Sequence, residues 1–458
     1  MKKNYNLKIP EYIQKFLHEN NIHQLYPTQV QAIQNGLLDN KNLVVSAPTA
    51  SGKTLIAILA SFKHFYEKQG KTLYFTPLRA LATEKYMEFK KFLEKRGAKV
   101  ALTTGDYDSE DNWLEKYDII ITTNEKADSL LRHKPRWLND VSLLVVDEIH
   151  LINSPKRGPT LEITLAKFLA LKRLQIIGLS ATIRNVNELA NWLNAVPIVV
   201  KWRPVELKEG VYYDGNIYFK DGEIISVPQR ANSIVDLTLD CIENRGQVLI
   251  FTMTRLQAVS YARKLSRYIK RLLSAKDKQS LRKIAKTILQ YENNRLTSLL
   301  SEFILNGVSF HHAGLSHQIR KIIEEGFRKQ KIKVITATPT LAAGVNLPAR
   351  RVIISNYRRY NIELGVFEKI PTMEYKQMAG RAGRPQYDSY GEAILIARTI
   401  DELEFLTEEY LKSPPEAIYS RLSSEKALRT HILALIASGY ANNIKQLIKI
   451  LNYTLFVR

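Results

Sequence analysis

Three short runs have the residue types and spacing for phosphoryl chemistry. Ala47-Pro48-Thr49-Ala50-Ser51-Gly52-Lys53-Thr54 follows an apolar run, Asn42–Ser46, and precedes a helical stretch, Leu55–Ser61. A loop of small residues lets backbone amides close around phosphate oxygens, and a helix N-terminus adds partial positive charge. Lys53 would then reach the β- and γ-phosphates of a nucleotide, and the Thr54 hydroxyl would hold Mg2+. Leu143-Leu144-Val145-Val146 leads into Asp147-Glu148-Ile149-His150. Beside a phosphate loop, Asp147 would hold Mg2+ through water, and Glu148 would orient or deprotonate an attacking water. The plain alternative, loop carboxylates capping a helix, is disfavoured by the preceding apolar strand and the upstream Lys53. In the third run, Gln377-Met378-Ala379-Gly380-Arg381-Ala382-Gly383-Arg384, the spacing predicts Arg381 and Arg384 on one helix face. Closed onto a nucleotide, their guanidinium groups would stabilise charge on the transferring phosphoryl group.

Such residues need rigid strands to hold them. Near-continuous apolar runs at Asn42–Ser46, Thr72–Thr76, Asp118–Thr122, Leu143–Asp147 and Gln175–Ser180 alternate with helical stretches. Gln247–Thr252, Val308–His312, Lys333–Thr338, Arg351–Ser355 and Glu392–Ala397 repeat the style. Runs of this kind are expected of parallel strands covered on both faces, so the fold class is α/β with two successive blocks. Between them, Trp202-Arg203-Pro204-Val205 and the turn signals Asp214-Gly215 and Asp221-Gly222 predict a linker with a short hairpin. Pro414-Pro415 breaks the chain after the second block, and two helices are predicted around Ser438-Gly439-Tyr440. The expected domains are 1–202, 203–405 with the linker hairpin, and a partial helical segment at 406–458.

The 458 residues carry 67 Lys and Arg against 45 Asp and Glu, a formal charge of +22. That excess implies a polyanionic partner, most often nucleic acid, with solubility as the plain alternative. The charge is concentrated: residues 261–306 hold 11 basic and three acidic side chains. There Lys and Arg alternate with Leu and Ile at helical spacing, predicting basic amphipathic helices. They could track a phosphate backbone or form a solvated insertion. A hydrophobic fraction of 45% excludes a disordered chain, and a lone Cys241 excludes an internal disulfide and suggests a reducing compartment. No apolar run reaches membrane-helix length and no secretory signal is visible, so a cytoplasmic protein is expected. His311 and His312 are adjacent, but with no second ligand pair nearby a structural turn is expected rather than a metal site.

In this order the motifs resemble the superfamily 2 helicases, in particular the DExH-type Ski2-like group. Leu25-Tyr26-Pro27-Thr28-Gln29 is similar to that group's adenine-reading motif, which gives Gln29 a place in the nucleotide site. Thr76-Pro77-Leu78-Arg79-Ala80-Leu81-Ala82 resembles motif Ia, Thr122-Thr123-Asn124-Glu125-Lys126 motif Ib, and Phe251-Thr252-Met253-Thr254-Arg255 motif IV. Thr336-Ala337-Thr338 with Gly344-Val345-Asn346-Leu347-Pro348 resembles motif V, and His311-His312-Ala313-Gly314-Leu315 the motif before it. The resemblance implies two RecA-like domains with ATP between them and a partial winged-helix-like segment. It puts a single strand on Arg79, Thr123, Thr252, Arg255, Thr338 and Asn346, and gives His150, Ser180, Thr182 and Gly344 the coupling of hydrolysis to grip. Ala47 stands where the first Gly of the loop is usual, as in many helicases. Ala50 is often Gly elsewhere and is expected to be tolerated unless its φ is positive.

Within the group the chain resembles most the archaeal Hjm-type helicases, which act on forked and branched DNA. In that family the region of Tyr357-Arg358-Arg359-Tyr360 and Gly365-Val366-Phe367 carries a strand-splitting β-hairpin, so Tyr357, Arg358, Tyr360 and Phe367 are expected on nucleic acid. The implied activity is an ATP- and Mg2+-dependent 3′-to-5′ helicase on single-stranded and branched DNA, acting as a monomer. The alternatives are an RNA helicase of the same group and an ATP-switched binding or annealing subunit. The family continues beyond the point corresponding to Arg458 into further domains, and that bears on processivity, autoinhibition and unwinding.

Overall fold

The computed structural model describes residues 7–105, 111–171, 174–339, 341, 347–361, 365–385 and 387–458. The chain forms two compact units, one running to Trp202 and including Pro415–Arg458, the other Arg203–Pro414.

In the first unit, α1 (Glu11–Glu19) and α2 (Pro27–Gln34) precede β1 (Leu43–Ser46) and α3 (Lys53–Tyr66). β2 (Lys71–Thr76), α4 (Arg79–Leu93), β3 (Val100–Thr103), β4 (Ile119–Thr123) and α5 (Asn124–His133) follow. β5 (Val141–Val146), α6 (Gly158–Leu171), β6 (Gln175–Ser180), α7 (Val186–Trp192) and β7 (Val196–Val199) complete the α/β part. The strands lie in the order β3-β4-β2-β5-β6-β1-β7, every pair parallel. Leu43, Val45, Leu143, Val145 and Ile177 of the central strands are buried beneath helices, as their unbroken apolar runs require. The order brings β5, β6 and β1 side by side, with Ser46 in register with Ser180. Their C-terminal ends therefore present the phosphate loop, the acidic pair and Ser180 together, where open α/β sheets bind ligands.

The second unit runs β8 (Glu206–Tyr213), β9 (Asn216–Phe219), β10 (Ile224–Ser226), α8 (Ser233–Glu243), β11 (Val248–Phe251), α9 (Arg255–Ile269), α10 (Ala275–Tyr291) and α11 (Arg295–Leu305). Then come β12 (Val308–His311), α12 (His317–Arg328), β13 (Val334–Ala337), β14 (Arg351–Ile354), β15 (Arg358–Asn361), β16 (Val366–Lys369), α13 (Thr372–Ala379), β17 (Tyr390–Ile396) and α14 (Ile400–Leu406). The sheet order is β10-β9-β8-β17-β14-β11-β13-β12, and β15 with β16 forms a separate antiparallel hairpin. Both units thus have the α/β, parallel-sheet build of RecA-like domains. The segment expected as linker and hairpin does turn back at Asp214-Gly215, as β8–β9, but it is part of the sheet rather than a linker: β8 pairs parallel with β17 along its length and carries β9 and β10 as an antiparallel edge. Val211, Ile217 and Phe219 enter the core from it.

The helical end of the chain, α15 (Glu425–Ala437) and α16 (Ile444–Leu451), packs on α6 of the first unit. Ile163 and Ala166 meet Leu435 and Ile450, and Glu162 accepts from Ser420 Oγ at 2.7 Å and Phe456 N at 2.8 Å. Among the described residues no helix is long and apolar enough to cross a membrane.

Candidate active site

The phosphate loop leaves β1 at Ala47 and enters α3 at Lys53, with Gly52 as a left-handed N-cap at φ 85°. Gln29 ties this loop to α2: its Oε1 accepts from Tyr26 N at 2.7 Å and its Nε2 donates to Gly52 O at 3.1 Å. A Cβ on Gly52 would lie 2.2 Å from that amide nitrogen, so glycine is required there on contact as well as on φ. The Lys53 ammonium donates to the carbonyls of Ala47 at 2.6 Å and Pro48 at 2.9 Å. Ser51 Oγ is buried with no hydrogen-bond partner among the described residues. A loop with an orphaned hydroxyl, a folded-back ammonium and a helix N-terminus has the donor set for a polyphosphate. Thr49 and Pro48 are half-buried. Ala50 is left-handed, at φ 66°. The condition for tolerating alanine there is therefore not met, and the cost is of order 1 kcal/mol.

Asp147 is buried at the end of β5. Its Oδ2 accepts from the Tyr74 hydroxyl at 2.9 Å and its Oδ1 from Glu148 N at 3.1 Å. Burial and then the neighbouring Glu148 charge push its carboxyl above the usual range, while Lys85, Tyr74 and Lys53 pull it back. Glu148 sits at φ 53°, a strained position for a β-carbon residue and the kind found at functional sites. His150 is buried, and its Nδ1 accepts from Ala181 N at 3.3 Å beside Ser180 Oγ and Glu148 Oε2, each also at 3.3 Å. Burial, reinforced by the Lys53 charge, lowers its pKa to about 4, so the imidazole is neutral at pH 7. Glu148 Oε2 and Ser180 Oγ thus both approach His150 Nδ1 within one unit; Thr182 is half-buried next to Ser180 in sequence.

Two residues that motif spacing did not single out complete this site. Tyr74 lies inside β2, where the sequence reads only as apolar strand. Lys85 lies on α4, and its ammonium donates to Thr54 Oγ1 at 2.6 Å and to Glu88 Oε2 at 3.2 Å. Thr54 and Asp147 supply a hydroxyl and a carboxylate, hard oxygen donors that fit Mg2+.

The second unit holds the arginine motif differently from expectation. α13 ends at Ala379, and Arg381 and Arg384 follow it in a turn rather than sharing a helix face. Gly383 at φ 90° and the bridge of Ala382 to Ala349 break the helix. Arg203 Nη2 donates to Gly380 O and Ala382 O at 3.1 and 3.0 Å, fixing the turn. Arg384 is buried and committed: it bonds both carboxylate oxygens of Asp388 at 2.7 Å and Gln247 Oε1 at 2.8 Å. Arg381 and Gln377 are half-buried.

The residues expected on nucleic acid divide by exposure. Arg79 and Arg255 are exposed at the first positions of α4 and α9, and Thr338 is half-buried. Thr123 is the N-cap of α5. Thr252 is fully buried, with its hydroxyl donating to Thr254 O and Ala337 O, so its side chain serves the sheet edge rather than a strand. Tyr357 is likewise internal: it donates to Glu402 at 3.2 Å and packs on Phe405 and Tyr410. On the hairpin that follows, Arg358, Tyr360 and Phe367 are exposed. Gly344 and Asn346 lie outside the described residues. His312 Nδ1 accepts from Gly314 N at 3.1 Å and His311 pairs with Glu324 at 3.1 Å, so both histidines are engaged inside the fold.

The DEAD/DEAH box helicase family model matches residues 26–189, and the helicase conserved C-terminal domain model matches 266–386. The ATP-dependent DNA helicase Hel308 of Methanocella arvoryzae is 46% identical over 455 residues, covering 98% of this chain and 61% of the relative. The proteins of the same name from Caldivirga maquilingensis and Pyrococcus abyssi are 48% and 47% identical, again over 98% of this chain and 60% and 61% of their own length. The chain therefore spans about three-fifths of the curated relatives it matches.

Proposed function

We propose that this chain, which belongs to the Ski2-like DExH helicases of superfamily 2 and to their Hel308 type, is the motor portion of an ATP-driven DNA translocase. The observation that carries the reading is the union, on three adjacent strand ends, of the Lys53 loop, the Asp147–Glu148 pair and the His150–Ser180 contact. On binding ATP, Lys53 would exchange the carbonyls of Ala47 and Pro48 for phosphate oxygens. Gln29 holds the loop from the adenine-reading motif, and Ser51 Oγ gains a partner. Thr54 and Asp147 would hold Mg2+, which supplies charge neutralisation on the phosphate oxygens. Glu148 orients water against the terminal phosphate, and His150 carries the state of that carboxylate to Ser180 and Ala181. Arg381 would stabilise transferring charge, with Arg384 bracing its turn through Asp388.

The DNA path we assign to Arg79, Thr123, Arg255 and Thr338, with the exposed hairpin residues Arg358, Tyr360 and Phe367 at a strand junction. Backbone contacts of this kind are sequence-independent and salt-sensitive. The exposed cations of α9, the turn after it and α10 favour the backbone-tracking reading of that basic stretch. Arg263, Arg267 and Arg271, and Lys278, Arg282 and Lys286, are exposed at four-residue spacing, and none is ion-paired among the described residues. Like charges at that spacing each cost a few tenths of a kcal/mol in a helix, which a polyanion would offset. Travel in the 3′-to-5′ direction, action on forked DNA, a monomeric state and a cytoplasmic location belong to the same proposal.

The test is steady-state ATPase with and without single-stranded DNA or RNA of matched length. DNA stimulation that vanishes in Lys53→Ala, and falls about 100-fold or more in Glu148→Gln, is expected. Stimulation by RNA alone would move the chain to the RNA branch, and unchanged hydrolysis in Glu148→Gln would overturn the assignment of the base.

A further inference from the structure

The Lys85 side chain is nine-tenths buried, yet the motifs give it no task. It is anchored on α4, away from the phosphate loop in sequence, and reaches across to donate to Thr54 Oγ1 at 2.6 Å. Its second acceptor is Glu88 at 3.2 Å, one helical turn along α4 and partly open to solvent. The ammonium lies close enough to Asp147 for each to favour the charged form of the other. A permanent positive charge thus stands against the same hydroxyl and carboxylate that the proposed ATP site offers to a divalent cation.

Those positions conflict. A threonine oxygen that accepts from an ammonium at this distance cannot also sit in the coordination sphere of Mg2+ without bringing two cations together in a buried site. Without any cation, however, Asp147 would be a buried carboxylate facing Glu148, which is costly. Lys85 resolves the metal-free state, and Glu88 gives its ammonium an acceptor to retreat to without leaving its helix.

Resting on that reading of the ATP site, we propose that Lys85 is a positioning residue that holds Thr54 and offsets Asp147 until Mg2+–nucleotide arrives, then yields Thr54 to the metal and turns to Glu88. The displaced proton donor stays protonated throughout; only its acceptor changes. Lys85 therefore sets the magnesium concentration at which nucleotide is captured, and Glu88 sets how easily the lysine is displaced.

The experiment is binding of a fluorescent ATP analogue to this chain, without DNA, at a series of free Mg2+ concentrations and in EDTA. Lys85→Met is expected to lower the Mg2+ midpoint about tenfold, with binding in EDTA changed far less. Glu88→Gln, at a partly exposed position that leaves the core untouched, is expected to raise the midpoint several-fold. Lys85→Arg, which keeps the charge but is bulkier, is expected to keep or raise it. Unchanged midpoints in both Lys85→Met and Glu88→Gln would overturn the proposal. A midpoint that rises in Lys85→Met would also overturn it, since the lysine would then only hold Thr54 in place for the metal. A wild-type chain that binds no nucleotide at any Mg2+ concentration would instead remove the ATP-site reading beneath it.

Discussion

Tyr74 and Asp147 share a buried hydrogen bond of 2.9 Å between neighbouring strands β2 and β5. The phenol is fully enclosed, and burial together with the carboxylate beside it raises the phenol's pKa well above normal, so the hydroxyl remains a donor at every working pH. It is one of the groups that hold the Asp147 carboxyl down against burial. Tyr74→Phe should therefore raise the Asp147 pKa further and shift the acid limb of the ATPase–pH profile upward. The orphaned acceptor should also cost about 1–3 kcal/mol of stability. An unshifted acid limb in the variant, with normal folding, would argue against Asp147 as the titrating metal ligand.

His150 makes a separate pH prediction. Its folded-state pKa is depressed to about 4 from 6.5, so the unfolded chain binds the proton more readily. Stability from this group is full above about 6.5 and is lost as pH falls through the folded value. Over that window the loss is about 3 kcal/mol. The melting temperature of wild type should fall more steeply between pH 6.5 and 4 than that of His150→Gln, measured by circular dichroism.

The left-handed Ala50 stores strain in the loop before Lys53. Ala50→Gly should relieve it and stabilise the first unit by about 1 kcal/mol, less the extra entropy of glycine in the unfolded chain. Ala50→Val should destabilise by more. Paired thermal melts decide this, and a glycine variant that melts lower would show that the loop does not hold that φ in solution.

Tyr360 and Phe367 face each other across the hairpin, rings 5.2 Å apart, with 54% and 68% of their surface exposed. Paired aromatic faces left this open are available to stack on an unpaired base. Tyr360→Ala with Phe367→Ala should leave DNA-stimulated ATPase within about twofold while reducing strand separation on a fork by tenfold or more, since stacking contributes about 1–3 kcal/mol per base. Equal losses in both assays would assign the pair to general binding.

Neutralising Arg263, Arg267, Arg282 and Lys286 should flatten the dependence of log affinity on log salt by about one unit for each phosphate no longer neutralised. Fluorescence anisotropy at several salt concentrations measures it. An unchanged slope would return the basic helices to a merely solvated surface.

The central strands of both units were legible because buried parallel strands are apolar throughout, and the phosphate loop because its small residues leave little other use. Some strands at or near the sheet margins were not. β7, at one edge, contains Pro197 and exposes Val199, and β8, between β17 and the β9–β10 margin, mixes charge with aromatics. The helix predicted through Arg381 failed because two glycines and a sheet bridge outweigh local spacing. Tyr74 and Lys85 reach the site across strand and helix packing, a relation between residues 73 and 31 positions from their partners. Nothing in local pattern encodes such a contact. Thr252 and Tyr357 show the converse: a motif position says that a residue matters, while burial says whether it can touch a ligand.

The return of Pro415–Arg458 to the first unit has a consequence for how the polypeptide is made. Glu162 finds Phe456 294 positions later, and Trp192 donates to Tyr453 O at 2.7 Å across 261. A ribosome delivers the second unit whole before it delivers the partners of α6. The first unit to be translated is thus the last to be finished, and through that interval the apolar face of α6 waits uncovered in a nascent chain.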